Sequence, residues 1–203
     1  TKLAIAKRKV ELENNESILR TDSLFFDRQK QEVYYQTTGE ITSEDTVIRS
    51  QSGTYLVDDK KYEFISDVVV TDPSFTIFSQ RMDYYTEVRH AYFYEATTIN
   101  GEGYDVYCNR GFFDSNLKKG YFLNRASVDY NLRNIKGDSI YFDDHIQYAA
   151  ATRNVQITDT IGNNVIRGEY GEVFKEKDSA IVTKNPIAIK LVNRDSLYIH
   201  ADT

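Results

Sequence analysis

Ile48-Arg49-Ser50-Gln51, Ile77-Phe78-Ser79-Gln80 and Val106-Tyr107-Cys108-Asn109 stand twenty-nine residues apart. Leu19-Arg20-Thr21-Asp22 and Ile135-Lys136-Gly137-Asp138 extend the series on either side. Ile166-Arg167-Gly168-Glu169 and Ile199-His200-Ala201-Asp202 follow after slightly longer gaps. A fixed period in this range marks one supersecondary unit used many times over. Such an array works through a long surface or groove rather than through one catalytic point.

Each column of the repeat makes a physical demand. Counting from the small residue of the Thr21 type, the position two before is always aliphatic, and the residue between them varies freely. Alternate side chains of a strand share a face. The aliphatic and small residues therefore look inward and the variable one outward. Five after the small residue stands an aromatic (Phe26, Tyr55, Tyr84, Phe113, Phe142), and fourteen after another (Tyr35, Phe64, Phe93, Phe122). Twenty after is β-branched: Ile41, Val70, Ile99, Val128, Ile157, with Leu12 as the counterpart before the first unit. Polar clusters such as Asp58-Asp59-Lys60-Lys61 separate the columns and read as turns. About three short strands per unit are expected, with no helical period.

One column alternates: Leu24, Gly53, Met82, Gly111, Ile140, Gly171. Neighbouring units then meet different surroundings, as strands running up and down across two walls would. Glycine in a strand marks a bulge, a bend or a close approach of backbone.

Composition narrows the function classes. Tyrosine (16) and phenylalanine (11) are abundant, which suits sheets. No apolar run is long enough for a membrane-spanning helix. The net charge of −6, with Lys and Arg scattered, argues against nucleic acid as a partner. Cys108 occupies a column otherwise filled by Ser, Thr, Gly and Ala, so it reads as a small inward residue. The chain starts at Thr1 and stops inside a repeat, and it reads as one repeat domain over 1–203 cut from a longer protein. A signal or anchor is then expected outside this piece.

Candidate chemistry is sparse. His90, His145 and His200 lack partners at metal-ligand spacing, and Asp143-Asp144-His145 falls at a turn position. The acid-or-amide column (Asp22, Gln51, Gln80, Asn109, Asp138, Glu169, Asp202) would hold a cation only if its charges converged. Amides replace acids along it, so the expected role is capping backbone at a bend. No nucleophile elbow, phosphate loop or paired-cysteine motif occurs. No catalysis, no metal and no cofactor are expected.

At these columns the chain resembles the LptA/OstA proteins, whose unit runs approximately Tyr-x-Phe-x-Gly-Asn-Val-x-Ile, then Ile-x-Ser-Asp-x-Ala-x-Tyr. Gly39-Glu40-Ile41, Tyr62-Glu63-Phe64 with Asp67-Val68-Val69-Val70, and Asn154-Val155-Gln156-Ile157 carry the first half. Thr21-Asp22, Gly137-Asp138 and Ala201-Asp202 carry the Ser-Asp step. The Gly-Asn-Val step is mostly lost, which suggests a divergent OstA-like branch. The resemblance implies an all-β, repeat-built, open twisted antiparallel β-jellyroll, a taco of two facing sheets. It implies a periplasmic bridge module in outer-membrane biogenesis that shields the acyl chains of lipopolysaccharide or a similar amphiphile. It also implies other Lpt-type β-jellyroll domains as end-to-end partners. The groove would be lined by Leu12, Leu19, Ile41, Ile48, Val70, Ile77, Ile99, Val106, Val128, Ile135, Ile157 and Ile166. Inward apolar columns equally form the dry core of a structural or filament-forming β-solenoid, and aromatics that fill the space between the walls would leave no room for a lipid.

Overall fold

A computed structural model describes residues 2–13, 17–130, 132–159, 161–162, 164–192 and 195–201. The chain is all-β and antiparallel, and the described residues contain no helix. It divides into two compact units, Thr1–Glu102 and Gly103–Thr203.

The first unit holds β1 (Leu3–Glu13), β2 (Ile18–Asp27), β3 (Glu32–Tyr35), β4 (Gly39–Ser43), β5 (Thr46–Ser50), β6 (Ser52–Leu56), β7 (Lys61–Asp72), β8 (Phe75–Tyr85), β9 (His90–Phe93) and β10 (Thr97–Gly101). Long strands run through both walls of a folded sheet, and short strands serve one wall each. On β2, for example, residues 18–21 pair with β4 while residues 25–27 pair with β3. Three short strands per repeat was thus too regular an expectation. Uninterrupted strands (β1, β2, β7, β8) alternate with split ones (β3/β4, β5/β6, β9/β10).

The fold between the walls lies at a bulge. Register shifts between Lys7 and Val10, and between Ile65 and Val68, coincide with positive φ at Arg8 and Lys9 and at Ser66 and Asp67. An extra residue unpaired in one strand bends it and raises its twist. The glycine column serves a different purpose. A Cβ on Gly53 would lie 2.5 Å from the hydroxyl of Tyr35, whose ring is packed against that backbone.

Cross-strand pairing lines up the aliphatic columns. Leu12, Leu19, Ile41, Ile48, Val70, Ile77 and Ile99 are successive register partners on one wall. On the other wall, Tyr35, Gly53, Phe64, Met82 and Phe93 form a second row. All of these are buried except Leu12, which is 45% exposed on β1. The outer face of the first wall carries alternating charges, with Arg20 bonded to Glu11 at 2.9 Å and Arg49 to Glu40 at 2.7 Å. Opposite charges across strands support the register.

The second unit holds β11 (Tyr104–Cys108), β12 (Arg110–Asp114), β13 (Lys119–Tyr130), β14 (Arg133–Asp143), β15 (Tyr148–Asp159), β16 (Asn164–Phe174), β17 (Ser179–Thr183), β18 (Ile187–Val192) and β19 (Asp195–His200). Its walls meet at the same device, with positive φ at Asn124-Arg125 and Arg153-Asn154 and register shifts beside them. Val106, Val128, Ile135, Ile157 and Ile166 form its aliphatic row, continued by Ala188 and Ile199.

Candidate binding cleft

The acid-or-amide column sits at the folds between the walls, where its residues bond across the bulge. The Gln51 backbone N–H donates to the Ser66 carbonyl at 3.0 Å. The Asn109 side chain donates to the Asn124 carbonyl at 3.0 Å. The Asn154 side chain donates to both carboxylate oxygens of Asp138 at 3.1 Å. Asn109 thus caps backbone at a bend as expected, and Asp202 lies outside the described residues. The His145 amide donates to Asp143 within a turn whose other amide, Ile146, does the same. His90 begins β9, and His200 is exposed on β19. Among the described residues no three of His, Cys, Asp and Glu gather closely enough to hold a metal ion. Burial pushes the Cys108 thiol up to about 12, as a small core residue requires.

The interior behaves differently in the two units, and the cause is visible in single columns. In the second unit Phe113, Phe122, Ile140 and Phe142 are fully buried. Phe142 on one wall reaches the rings of Tyr104 and Tyr130 on the other, at 4.8 and 5.2 Å between centroids. Gly171 and Ile157 also lie on opposite walls, and a Cβ on Gly171 would come within 3.2 Å of the Ile157 side chain. The turn after β16 closes the end of this interior. Lys175 Nζ stands 4.7 Å over the Tyr130 ring, and Asp178 pairs with Arg133 at 2.8 Å.

The first unit keeps a cleft of about 520 Å³ between its walls. Ile41 and Ile48 supply one side, and Tyr55, Tyr62 and Tyr84 the other. Tyr62 is stacked between Tyr55 (4.5 Å) and Phe64 (5.3 Å), so these rings lie along their own wall. The mouth is polar. Ser43 and Thr46 stand there where the matching columns of the second unit place Tyr130 and Tyr104. Small hydroxyls replacing two rings leave the space open. Arg89 donates to Glu44 at 2.5 Å beside it, and that bond is the main cause that raises the guanidinium pKa. Lys60 pairs with Glu87 nearby. Inside, burial pushes the Tyr35 and Tyr62 phenols up to about 12. Tyr35 shares a 2.7 Å hydrogen bond with Ser50, which partly offsets that shift.

Of the twelve aliphatic residues singled out in the sequence, Ile41 and Ile48 line this cleft. Leu19, Val70, Ile77 and Ile99 continue their row as buried neighbours. Val106, Val128, Ile135 and Ile157 pack inside the second unit, and Ile166 is half-buried. The tyrosine side of the cleft and its Ser43–Thr46 mouth were not among the sequence candidates. The column of Ser43 also holds Asp72, Gly101 and Asp159, and that of Thr46 holds Ser17 and Phe75, so neither column signals the mouth in the sequence.

Residues 1–80 match the family model described as OstA-like protein. The matched segment contains Ile41, Ile48, Tyr55 and Tyr62 of the cleft. Among solved structures the chain is similar to LptH of Pseudomonas aeruginosa, titled the LptA homologous periplasmic component of the conserved lipopolysaccharide transport device. The identity is 13%, the alignment covers 68% of this chain and 82% of that one, and the TM-score is 0.31. No curated protein matches the chain.

Proposed function

We propose that this OstA-like chain is a non-enzymatic periplasmic carrier or bridge module. Its first unit shelters the acyl portion of lipopolysaccharide or a similar amphiphile on the way to the outer membrane. The observation that carries the reading is the cleft itself: apolar on one side, tyrosine-lined on the other, and set in the OstA-like segment. A volume of about 520 Å³ lies within the usual range of ligand sites. Each methylene moved from water into it is stabilised by about 0.8 kcal/mol.

The end strands suit assembly with further β-jellyroll domains. Among the described residues β1 pairs with β2 alone and β19 with β18 alone. Both carry exposed apolar side chains, Ile5 and Leu12 on β1, and Leu197 and Ile199 on β19. An open edge of that kind accepts another strand by main-chain pairing. A second, ligand-free reading is favoured for the second unit, whose filled interior suits a structural spacer.

The test is photocrosslinking with a diazirine-bearing fatty acid. Adducts are expected on the peptides that contain Ile41–Ile48 and Tyr84, and not on those around Phe142. Adducts spread evenly over the surface, or concentrated in the second unit, would reject the carrier reading.

A further inference from the structure

The outward face of β13 to β16 carries a ladder of rings that the interior does not explain. Tyr121, Tyr141, Tyr148 and Phe174 follow one another across four adjacent strands, with centroids 4.9, 6.2 and 5.2 Å apart. Tyr121 is 55% exposed, and the other three are half-buried. Lys177 covers Phe174 from 5.5 Å and ends the row. The repeat does not require rings here. The column of Tyr148 holds Glu32, Lys61, His90 and Lys119 in other repeats, and that of Tyr141 holds Thr54, Asp83 and Glu172 beside the rings Phe25 and Phe112. On β7 and β8 of the first unit the same outward positions form an ion-paired patch, with Lys61 at 2.8 Å from Glu63 and 3.2 Å from Asp83, while on β2 and β3 they hold the single stacked pair Phe25 and Tyr34. A charged face therefore serves the sheet equally well.

The hydroxyls of the ladder are fixed. Tyr141 donates to Asp143 at 2.8 Å, and Tyr148 and Tyr170 both donate to one oxygen of Glu172, at 2.5 and 3.0 Å. Each phenol that donates in this way keeps lone pairs to accept a further bond. The surface thus alternates ring faces with hydrogen-bond acceptors at the spacing of neighbouring strands. A protein covering it would have to bury the Glu172 carboxylate, and charged groups are depleted in the cores of such interfaces because desolvating them is costly. A saccharide meets both demands. The C–H face of a pyranose lies on the negative face of an aromatic ring, and its hydroxyls donate to the acceptors between the rings. The tilt of 47 to 52° between successive rings suits a twisted chain rather than a flat one.

We propose that this outer face binds a neutral oligosaccharide, with Tyr121, Tyr141 and Tyr148 as stacking residues and Glu172 as the hydrogen-bond acceptor. The site is independent of the cleft in the first unit. Isothermal titration of the full chain with cellohexaose, maltohexaose and laminarihexaose tests it. Saturable binding of at least one is expected. Tyr121→Ala should weaken it by about tenfold, the scale of one lost aromatic anchor. Tyr148→Lys, which installs the residue that β7 and β13 use in that column, should fold normally and weaken binding comparably. Thr46→Tyr, which alters only the cleft, should leave it unchanged. Absence of binding by all three sugars up to about 10 mM, a range that still detects weak association, overturns the proposal. So does binding that survives both tyrosine variants. Sedimentation provides the last arm: self-association abolished by Tyr121→Ala, without any sugar binding, would mean that the face joins two copies instead.

Discussion

Thr46→Tyr should convert the first unit from an open interior to a filled one. Tyr104 occupies the equivalent column in the second unit, where its ring meets Phe142 at 4.8 Å. At Thr46 a ring would enter the cleft bounded by Ile41, Ile48 and Tyr84. The structural cost is modest: the Thr46 hydroxyl loses a 3.2 Å bond to Asp72, which is worth about 1 kcal/mol. The functional effect should be large. A cleft of 520 Å³ holds roughly seventeen water-sized volumes, enough for an acyl segment of several methylenes even if half of it is mouth. At about 0.8 kcal/mol per methylene, two more carbons tighten binding about fifteenfold when fully buried, and about fourfold when half-buried. Calorimetry with alkylphosphocholines of increasing chain length, each below its micelle concentration, reads this slope directly. The unaltered protein should show the slope and then a plateau once the cleft is full. Thr46→Tyr should reach its plateau at a shorter chain. Affinity indifferent to chain length, or the same plateau in both proteins, would refute the cleft as an acyl site.

Two further outcomes follow from the packing. Gly53→Ala places a methyl group 2.5 Å from Tyr35, and overpacking of this kind should cost about 1–3 kcal/mol, read as a lower Tm; an unchanged Tm would mean that Tyr35 is not held over that glycine. The Tyr35 and Tyr62 phenols are pushed by burial to about 12 in the folded chain, while unfolded tyrosine titrates near 10. Their contribution is fully present below about 10 and is lost as pH rises through about 12, so denaturant midpoints should fall across that window, and Tyr35→Phe with Tyr62→Phe should flatten the fall.

Much of the fold was legible because one pattern serves both chemistry and geometry. An aliphatic residue, a free residue and a small one can only be a strand with one face inward, and the pairing of Ile41 with Ile48 and of Val70 with Ile77 follows from the period. The bends were not legible. They are made by Arg8-Lys9, Ser66-Asp67, Asn124-Arg125 and Arg153-Asn154, all at positive φ, and no glycine announces them. Polar residues carry these bends because their side chains remain in water or bond to the neighbouring strand, as Asn154 does to Asp138. The glycines attracted attention instead, and they mark close approach rather than bending.

The difference between an open and a filled interior lay in two positions that look unremarkable in the sequence. The aromatic column five after the small residue is the same in both units, so aromatic content alone could not say whether the interior is filled. What decides it is the partner across the gap. Where Tyr104 and Tyr130 face Phe142, three rings close the space. Where Ser43 and Thr46 stand instead, opposite Tyr55, Tyr62 and Tyr84, a cleft remains. A repeat can therefore alternate between a filled and an open interior without changing its backbone period. The side-chain volume at the two mouth positions is the variable that separates the filled interior from the open cleft.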